Sequence, residues 1–391
     1  MKLAKRMDII PFSRIREIVE EVNRRESQGE KIIHMEIGRP DFDTPSHIKE
    51  AAVEALSDGK VHYTSNYGIP ELREAIAEKF KKDNQLIYDP FDEIIVTIGA
   101  TEGIFLTMMA LLDPGDEVII PSPSFPCYAQ CANMIEAVPV LVPLKQEKDF
   151  EPVIEDFKAR ITPATKMIVI NTPHNPTGAI YSEDTLKQIA RLALENDLIV
   201  LSDEIYEKNI YDDYKHFSIA NLPGMQERTI ILNGFSKSHC MTGWRLGYVA
   251  SSKELIGGLI RIHQYAAVCA TSFAQYGAVA ALKGSQECVG TLVREFDRRR
   301  LMLLDRLAEM PGISVFKPRG AFYIFINVEK LGMTSRELGT YLLDEASIAV
   351  VPWGDKYIRI SYANSYENLE KAMDNMKAAL EKLDIDYSQT S

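Results

Sequence analysis

Short runs of aliphatic and β-branched residues alternate with helical patterns between about residues 91 and 250 of this chain. The runs EIIVTI, DEVIIPS, VPVLVPL, KMIVIN, LIVLSDEIY and TIILNGFSK are apolar through most of their length. Strands of this kind are buried on both faces, as in a parallel sheet that helices cover on both sides. The alternation therefore predicts α/β architecture, with a mostly parallel central sheet flanked by helices.

The pattern changes after about residue 285, where an amphipathic helix, VREFDRRRLMLLDRLAEM, precedes shorter strands and helices with fewer apolar runs. This change indicates a smaller α+β domain, and the length of 391 residues also favours at least two domains. We expect an N-terminal arm and part of the small domain in residues 1–44, a large domain in 45–284 and the small domain in 285–391. The arginine run at 298–300 is interpreted as a solvated helix face.

Composition disfavours several classes of protein. The formal net charge is −12 without a long basic run, so nucleic acid and anionic membrane surfaces are not expected as partners. The chain has no apolar run of about 18 residues and no signal-peptide pattern. Its five cysteines are scattered, which fits a reducing compartment and provides no pattern for a metal site. We therefore expect a cytoplasmic protein.

Four segments whose residues could bind a ligand or take part in catalysis lie at or just after predicted strand ends, where ligands bind in open α/β sheets. They are GATEG (99–103), NTPHNPTG (171–178), VLSDEIY (200–206) and GFSKSHCMTGWRLG (234–247). Each segment alone has a structural explanation: a glycine turn, a proline-stiffened turn, a salt bridge or helix cap, and a solvated loop lysine. Their combination makes a ligand site the better interpretation.

The chemistry of these segments is complementary. GATEG opens a helix, whose backbone N–H groups and dipole favour an anion. Asp203 ends an apolar strand, where a carboxylate is costly unless it meets a cation or a donor. Lys237 precedes Arg245, and desolvation with cationic neighbours lowers the pKa of an amine, as a nucleophilic lysine requires. Asn175, between prolines, is suited to donating a hydrogen bond to a ligand.

In this order, the anion-binding turn, Asn-Pro-Thr-Gly, Asp-x-x-Tyr, Ser-Lys and the following arginine resemble the class I/II aminotransferases of fold type I, which use pyridoxal 5′-phosphate. The resemblance runs from GRPDFDTP at Gly38 to YIRISYA at Tyr357 and is nearest to the aspartate and aromatic aminotransferase branch. It implies ping-pong transfer of an amino group from an L-amino acid to a 2-oxo acid. The donor would be aspartate, an aromatic amino acid or a related one, with 2-oxoglutarate as the acceptor.

The resemblance also implies residue roles at the cofactor. Lys237 would form the aldimine and then move a proton on the way to pyridoxamine phosphate, while Asp203 would pair with the pyridine nitrogen. Tyr206 and Asn175 would hydrogen-bond the phenolic oxygen, and Phe125 would stack on the ring. The phosphate would be held by Ala100, Thr101, Ser236, Arg245 and the partner subunit's Tyr63, so we expect a homodimer with shared active sites.

Other residues would bind the substrate. Arg359 matches the arginine that binds the α-carboxylate, with Gly38 and Asn175 on the same side. The segment PFSRI resembles a mobile arm that closes over substrate, so Phe12 and Ile15 would line the pocket.

One segment departs from the family pattern. Only WGDKY separates Pro352 from Ile358, where relatives carry a longer glycine-rich loop, and Trp353 is therefore expected to reshape the pocket wall. Arg261 is a candidate to bind a second carboxylate of the substrate, or else it faces solvent.

Two alternatives stay open. The same scaffold supports other reactions, such as β-elimination or oxidation, because the outcome depends on which Cα bond lies perpendicular to the ring. A non-catalytic, aminotransferase-like sensor domain of a transcription regulator is the other, which the negative charge and the direct start at the arm disfavour. The sequence predicts an aminotransferase without naming its donor or acceptor.

Overall fold

A computed structural model describes residues 2–383, so residue 1 of the predicted arm and residues 384–391 of the predicted small domain lie outside the described residues. The helices are α1 (Arg14–Ser27), α2 (Ser46–Ser57), α3 (Pro70–Lys79), α4 (Gly99–Leu111), α5 (Cys127–Met134), α6 (Ile154–Lys158), α7 (Glu183–Glu195), α8 (Lys253–Ala266), α9 (Ser272–Lys283), α10 (Glu287–Ala308), α11 (Ser335–Ala346) and α12 (Tyr366–Glu381). The strands are β1 (Ile33–His34), β2 (Ile94–Thr97), β3 (Glu117–Ser122), β4 (Val138–Pro143), β5 (Thr165–Asn171), β6 (Ile199–Asp203), β7 (Thr229–Gly234), β8 (Gly247–Ala250), β9 (Ser314–Val315), β10 (Tyr323–Asn327), β11 (Ile348–Ala349), β12 (Val351–Trp353) and β13 (Tyr357–Ser361).

A seven-stranded sheet, in the order β2-β8-β7-β6-β5-β3-β4, forms the centre of the fold. Only β8 runs antiparallel to its neighbours, which confirms the predicted mostly parallel sheet. The side chains of one face pack against α4, α5 and α8, and those of the other face pack against α3, α7 and α9. Helices on both faces explain why the central strands are apolar throughout.

Two details of the predicted sheet differ. The run VPVLVPL was expected to be buried on both faces, but β4 is the edge strand, and Val138 and Leu141 are 44% and 49% exposed. This expectation was wrong, because an apolar run does not by itself distinguish an edge strand from a central one. Strand β8 was not predicted, because its four residues are too few to make a distinct apolar pattern. Ser182 is the N-cap of α7, since its Oγ accepts a hydrogen bond from the Thr185 N–H at 3.2 Å.

A separate antiparallel sheet, in the order β12-β13-β10-β9, packs with α10, α11 and α12. Strand β1 pairs in parallel with β11, so the segment after α1 joins the C-terminal part of the chain. This pairing is consistent with the predicted assignment of part of residues 1–44 to the small domain. The boundaries at 44/45 and 284/285 stay predictions.

The arginine run on α10 was expected to be solvated, and this was wrong for two of its three members. Arg299 is buried with ion pairs to Asp41 and Glu295, and Arg300 is fully buried against Asp212. Three consecutive helical residues turn through about 200°, so they cannot share one face of the helix. Only Arg298 keeps a largely exposed side chain.

Two further observations bear on the class of protein. All five cysteines are free thiols. Within residues 2–383, no helix combines the length and the apolar character that crossing a membrane requires.

Candidate active site

Several of the predicted site residues meet where the C-terminal ends of β6 and β7 face the start of α4 and strand β13. Lys237 lies three residues after β7, and its Nζ donates a hydrogen bond to the Gly38 carbonyl oxygen at 2.6 Å. The amine is 5.9 Å from the centre of the Tyr206 ring and 5.8 Å from that of Phe322. The loop at Gly38 and the segment before β10 therefore enclose the lysine from the small-sheet side.

The surroundings of Lys237 disfavour its charged form. Loss of hydration, with the positive charges of Arg359 and Arg245, lowers the pKa of Lys237 to about 8, although the negative charge of Asp203 opposes this shift. The residue as a whole is half-buried, so its side chain is desolvated while part of its surface stays accessible. A substantial fraction of this lysine is thus neutral at slightly alkaline pH, as nucleophilic chemistry requires.

Asp203 is the last residue of β6 and is buried. Its Oδ2 accepts a hydrogen bond from the Tyr128 hydroxyl at 2.7 Å, and its Oδ1 accepts one from the Ile205 N–H at 3.1 Å. Burial raises the pKa of Asp203 to about 6, while these two hydrogen bonds and Lys237 act in the opposite direction. The carboxylate is therefore ionised at neutral pH, and its fixed position suits it to pair with a cation.

Tyr128 and Asn171 were not predicted as site residues, although both fix predicted ones. Tyr128 lies on α5 beside Phe125, with their ring centres 5.8 Å apart. Asn171, at the end of β5, donates from Nδ2 to the Asp203 carbonyl oxygen at 2.9 Å. Its Oδ1 accepts from the Asn175 N–H at 2.8 Å. A polar residue at the end of an apolar strand was the signal that could have identified Asn171.

Arg359, on β13, is only 2% exposed, and its hydrogen-bond acceptors within residues 2–383 are neutral oxygens rather than carboxylates. Its Nη1 donates to Asn175 Oδ1 at 3.1 Å and its Nη2 to the Glu36 carbonyl oxygen at 2.7 Å. Nε is buried without a hydrogen-bond partner. A buried cation with a free donor is costly in isolation, so this guanidinium is suited to an anionic ligand.

Tyr323, on β10, is a further residue that sequence reasoning missed. Its hydroxyl hydrogen-bonds with the Tyr206 hydroxyl at 2.9 Å, and its ring centre lies 4.3 Å from the Arg359 guanidinium. A Cβ at Gly38 would collide with the Tyr323 hydroxyl, so this close approach requires glycine. The aromatic segment GAFYIFINV carried no signal that would distinguish Tyr323 from a core residue.

The start of α4 forms a second polar region, together with Arg245. Gly99 has φ +71°, and a Cβ placed there would lie 2.6 Å from Arg245 Nη2. Arg245 is exposed, and its Nη1 donates to the Thr242 carbonyl oxygen at 3.1 Å. Ala100 and Thr101 are in the first turn of α4, where backbone N–H groups lack intrahelical partners. The side-chain-free backbone at Gly99, the free N–H groups at the start of α4 and the Arg245 guanidinium together fit a phosphate group.

Ser236 is buried one residue before the lysine, as its predicted contact with the same anion requires. The remaining predicted residues are not brought into this cluster by the described chain. Tyr63 is 85% exposed and Phe12 is 89% exposed, while Ile15 is half-buried. Arg261 is exposed on α8, which favours the solvent-facing interpretation.

Comparison with known proteins gives the same family throughout. The profile for aminotransferase class I and II matches residues 30–376. The aspartate aminotransferase of Pyrococcus abyssi is 46% identical over 389 residues, which cover 97% of this chain and 98% of that one. Aromatic-amino-acid aminotransferase 2 of Thermococcus litoralis is 44% identical over 391 residues, covering 98% and 99% of the two chains.

Solved structures agree with the sequence comparison. The aspartate aminotransferase of Thermus thermophilus with maleate has a TM-score of 0.92 at 37% identity, covering 97% of this chain and 100% of that one. The aromatic aminotransferase of Pyrococcus horikoshii OT3 has a TM-score of 0.88 at 45% identity, covering 92% and 99%. The predicted family and its fold type I architecture are confirmed. The chain belongs to the class I and II aminotransferase family and is a transaminase.

Proposed function

We propose that this aminotransferase uses pyridoxal 5′-phosphate at Lys237 to move an amino group from an L-amino acid to a 2-oxo acid. Aspartate, an aromatic amino acid or a related one is the donor, and 2-oxoglutarate is the acceptor. The printed names of the relatives support this range of donors. The observation that carries the proposal is the half-buried amine of Lys237, with its pKa lowered to about 8, between Asp203 and Arg359.

The bound cofactor supplies an aldehyde that condenses with amines and a ring that accepts electrons from the substrate Cα. Asp203 would hold a positive charge at the ring nitrogen, because it is ionised above about pH 6 and is fixed by Tyr128. Phe125 would cover one face of the ring. Tyr206 and Asn175 would bind the phenolic oxygen, and the phosphate would be held by Ala100, Thr101, Ser236, Arg245 and the partner subunit's Tyr63.

Lys237 has two tasks in the proposed reaction. Its neutral amine, which donates to the Gly38 carbonyl oxygen, is the group that would hold the cofactor. Its Nζ, freed by the incoming amino acid, would accept the proton that leaves the substrate Cα and release it later in the same turnover. An amine with a pKa of about 8 can both accept and release a proton near neutral pH.

Arg359 binds the substrate α-carboxylate through its unpartnered Nε and the adjacent Nη group. Asn175 and the Glu36 carbonyl oxygen fix the plane of the guanidinium before the substrate arrives. Preorganised charge of this kind orients Cα over the cofactor with little reorganisation. The absence of a side chain at Gly38 leaves room for the Tyr323 hydroxyl next to Arg359.

The site is completed by a second subunit. Tyr63 is exposed, yet its loop is anchored: Asn66 Nδ2 donates to the Val268 carbonyl oxygen at 2.6 Å, and the Ile69 N–H donates to Gln275 Oε1 at 2.8 Å. An exposed tyrosine on a fixed loop supports a homodimer in which this ring reaches the partner's phosphate. In the same proposal, Phe12 and Ile15 of the arm close over the substrate. The free thiols fit a reducing compartment and support a cytoplasmic location.

The proposal is tested by the two half-reactions of the purified enzyme loaded with pyridoxal phosphate. An L-amino acid should remove the cofactor's visible absorbance, and 2-oxoglutarate should restore it. Lys237→Ala should lose turnover and the absorbance shift. Lys253→Ala, at a largely exposed lysine paired with Asp92, is the matched control and should keep both.

Contrary outcomes are equally specific. Activity of Lys237→Ala equal to that of the wild type would exclude this lysine from the reaction. Release of ammonia or consumption of oxygen, without recovery by any 2-oxo acid, would instead support elimination or oxidation.

A further inference from the structure

Trp353 shares one face of the small sheet with Arg359. In the hairpin of β12 and β13, Val351 pairs with Arg359 and Trp353 pairs with Tyr357. Paired residues and residues two positions apart point to the same side of an antiparallel sheet. The short hairpin therefore places the indole beside the guanidinium that the proposed function assigns to the substrate α-carboxylate.

The indole is held in position by other rings. Its centre is 5.9 Å from the Arg359 guanidinium and 6.2 Å from the Phe325 ring, which it meets edge to face. Phe325 in turn stacks on Tyr357 at 4.5 Å. Trp353 remains half-buried, so part of its surface stays accessible next to Arg359. We call Trp353, Phe325 and Tyr357 the aromatic wall.

Two cations near the aromatic wall, Lys356 and Arg319, already have carboxylate partners. Lys356, next to Tyr357, pairs with Glu329. Arg319 pairs with Asp149 and lies 5.7 Å from the ring of Phe316. Phe316 packs in one hydrophobic cluster with the three residues of the aromatic wall. A second carboxylate on a substrate would compete with these pairs and would lose hydration against aromatic carbon.

We propose that Trp353 is a specificity-determining residue that favours amino donors with aromatic side chains over donors with a side-chain carboxylate. The proposal rests on the proposed function, because it takes Arg359 as the α-carboxylate site. The side chain of an amino acid begins two bonds from its α-carboxylate, within reach of an indole at 5.9 Å. An aromatic side chain gains ring contact there, whereas a carboxylate would lie against aromatic carbon and beside cations, Lys356 and Arg319, that are already paired.

The test compares kcat/KM for L-phenylalanine and L-aspartate, with 2-oxoglutarate fixed, in the cofactor-loaded enzyme. The wild type should favour phenylalanine. Trp353→Ala should reduce the phenylalanine-to-aspartate ratio by about tenfold or more, in the range that loss of one apolar contact produces. Trp353→Phe should keep the ratio within about threefold, because it retains a ring.

Phe316→Leu provides the matched control. It alters the same aromatic cluster through the contact with Phe150 at 5.6 Å, and the ring contacts of Arg359 are with Tyr323 and Trp353. A role of Trp353 in packing alone would make Trp353→Ala resemble this control, with both donors affected equally. Selective loss of phenylalanine turnover in Trp353→Ala alone would support the proposal.

Binding of unreactive carboxylates separates recognition from chemistry. For the loaded wild-type enzyme, 3-phenylpropanoate should bind more tightly than succinate, and Trp353→Ala should remove most of this preference. Preference of the wild type for aspartate, or an unchanged ratio in Trp353→Ala, would overturn the proposal. Either of these two outcomes is compatible with loss of turnover in Lys237→Ala, so the proposed function would stand. Failure of the proposed function would instead appear as wild-type activity in Lys237→Ala, whatever the donor ratio.

Discussion

The two arginines of the site differ in how far the chain itself prepares them. Arg359 is buried, with both Nη groups hydrogen-bonded and a tyrosine ring against its guanidinium. Arg245 is exposed, has φ +54°, and makes one hydrogen bond, to the Thr242 carbonyl oxygen. One subunit therefore completes the proposed substrate side, and the proposed phosphate side remains open to groups from outside.

This contrast fits the different lifetimes of the two ligands. A substrate carboxylate must bind and leave in every cycle, so its arginine benefits from being fixed in advance. A phosphate that stays bound can itself complete the order of Arg245 and of the α4 terminus. Under the proposed function, the arginine that is fixed in advance is therefore Arg359, whose ligand exchanges in every cycle.

Within this comparison of the two arginines, replacing Arg359 by lysine has the largest expected effect. Arg359→Lys should lower kcat/KM by about 100-fold, because lysine loses the planar contacts to Asn175 and the Glu36 carbonyl oxygen in a buried position. The cofactor's affinity and visible absorbance should be unchanged. Steady-state kinetics and absorbance titration measure the two quantities.

The matched change, Arg245→Lys, should have the opposite profile. Affinity for pyridoxal phosphate should fall by about tenfold, and kcat at saturating cofactor should stay within about threefold, because an exposed lysine still presents a positive charge. Equal losses of kcat/KM in the two variants would contradict the division of roles between the arginines.

A pair of glycines tests the open side more finely. Gly99 and Gly59 have nearly the same φ, +71° and +73°, but a Cβ at Gly99 would lie 2.6 Å from Arg245 Nη2, while one at Gly59 would meet nothing within 4 Å. Both alanine variants should lose about 1 kcal/mol of stability from the left-handed backbone. Only Gly99→Ala should also weaken pyridoxal phosphate binding, by about fivefold. The same binding constant in both variants would show that the Gly99–Arg245 approach does not matter.

Local patterns were sufficient to predict the parallel sheet and the positions of Asp203 and Lys237, because Asp203 closes an apolar run and Lys237 follows the next one within three residues. Contacts between distant parts of the chain were not predictable in the same way. Tyr128 lies 75 positions from Asp203, and Tyr323 lies 117 positions from Tyr206. Tyrosines with such contacts look like ordinary core residues until the fold joins them.

The arginine run on α10 shows the same limit for charge. A run of like charges suggests a solvated surface, but Asp41 and Asp212, which neutralise Arg299 and Arg300, come from segments far away in sequence. Helix geometry alone would have shown that the three side chains diverge. It would not have identified the carboxylates that allow two of them to be buried.

The smallest expected effect concerns Lys237, whose charged form both arginines disfavour. Its pKa is about 8 in the folded protein and 10.5 for an ordinary lysine, so between these values the unfolded chain binds more protons. The stability of the cofactor-free protein should therefore rise with pH from 8 to 10.5, and the full cost of the charge is present below pH 8. Lys237→Met removes this cost and should raise stability by about 1 kcal/mol at pH 7, since partial exposure screens the effect.

Thermal unfolding at a series of pH values measures the stability difference between Lys237→Met and the wild type, which should disappear near pH 10.5. Lys166→Met, at an exposed lysine, should show no such trend. A constant difference at every pH would attribute the gain to the added apolar surface rather than to the lost charge.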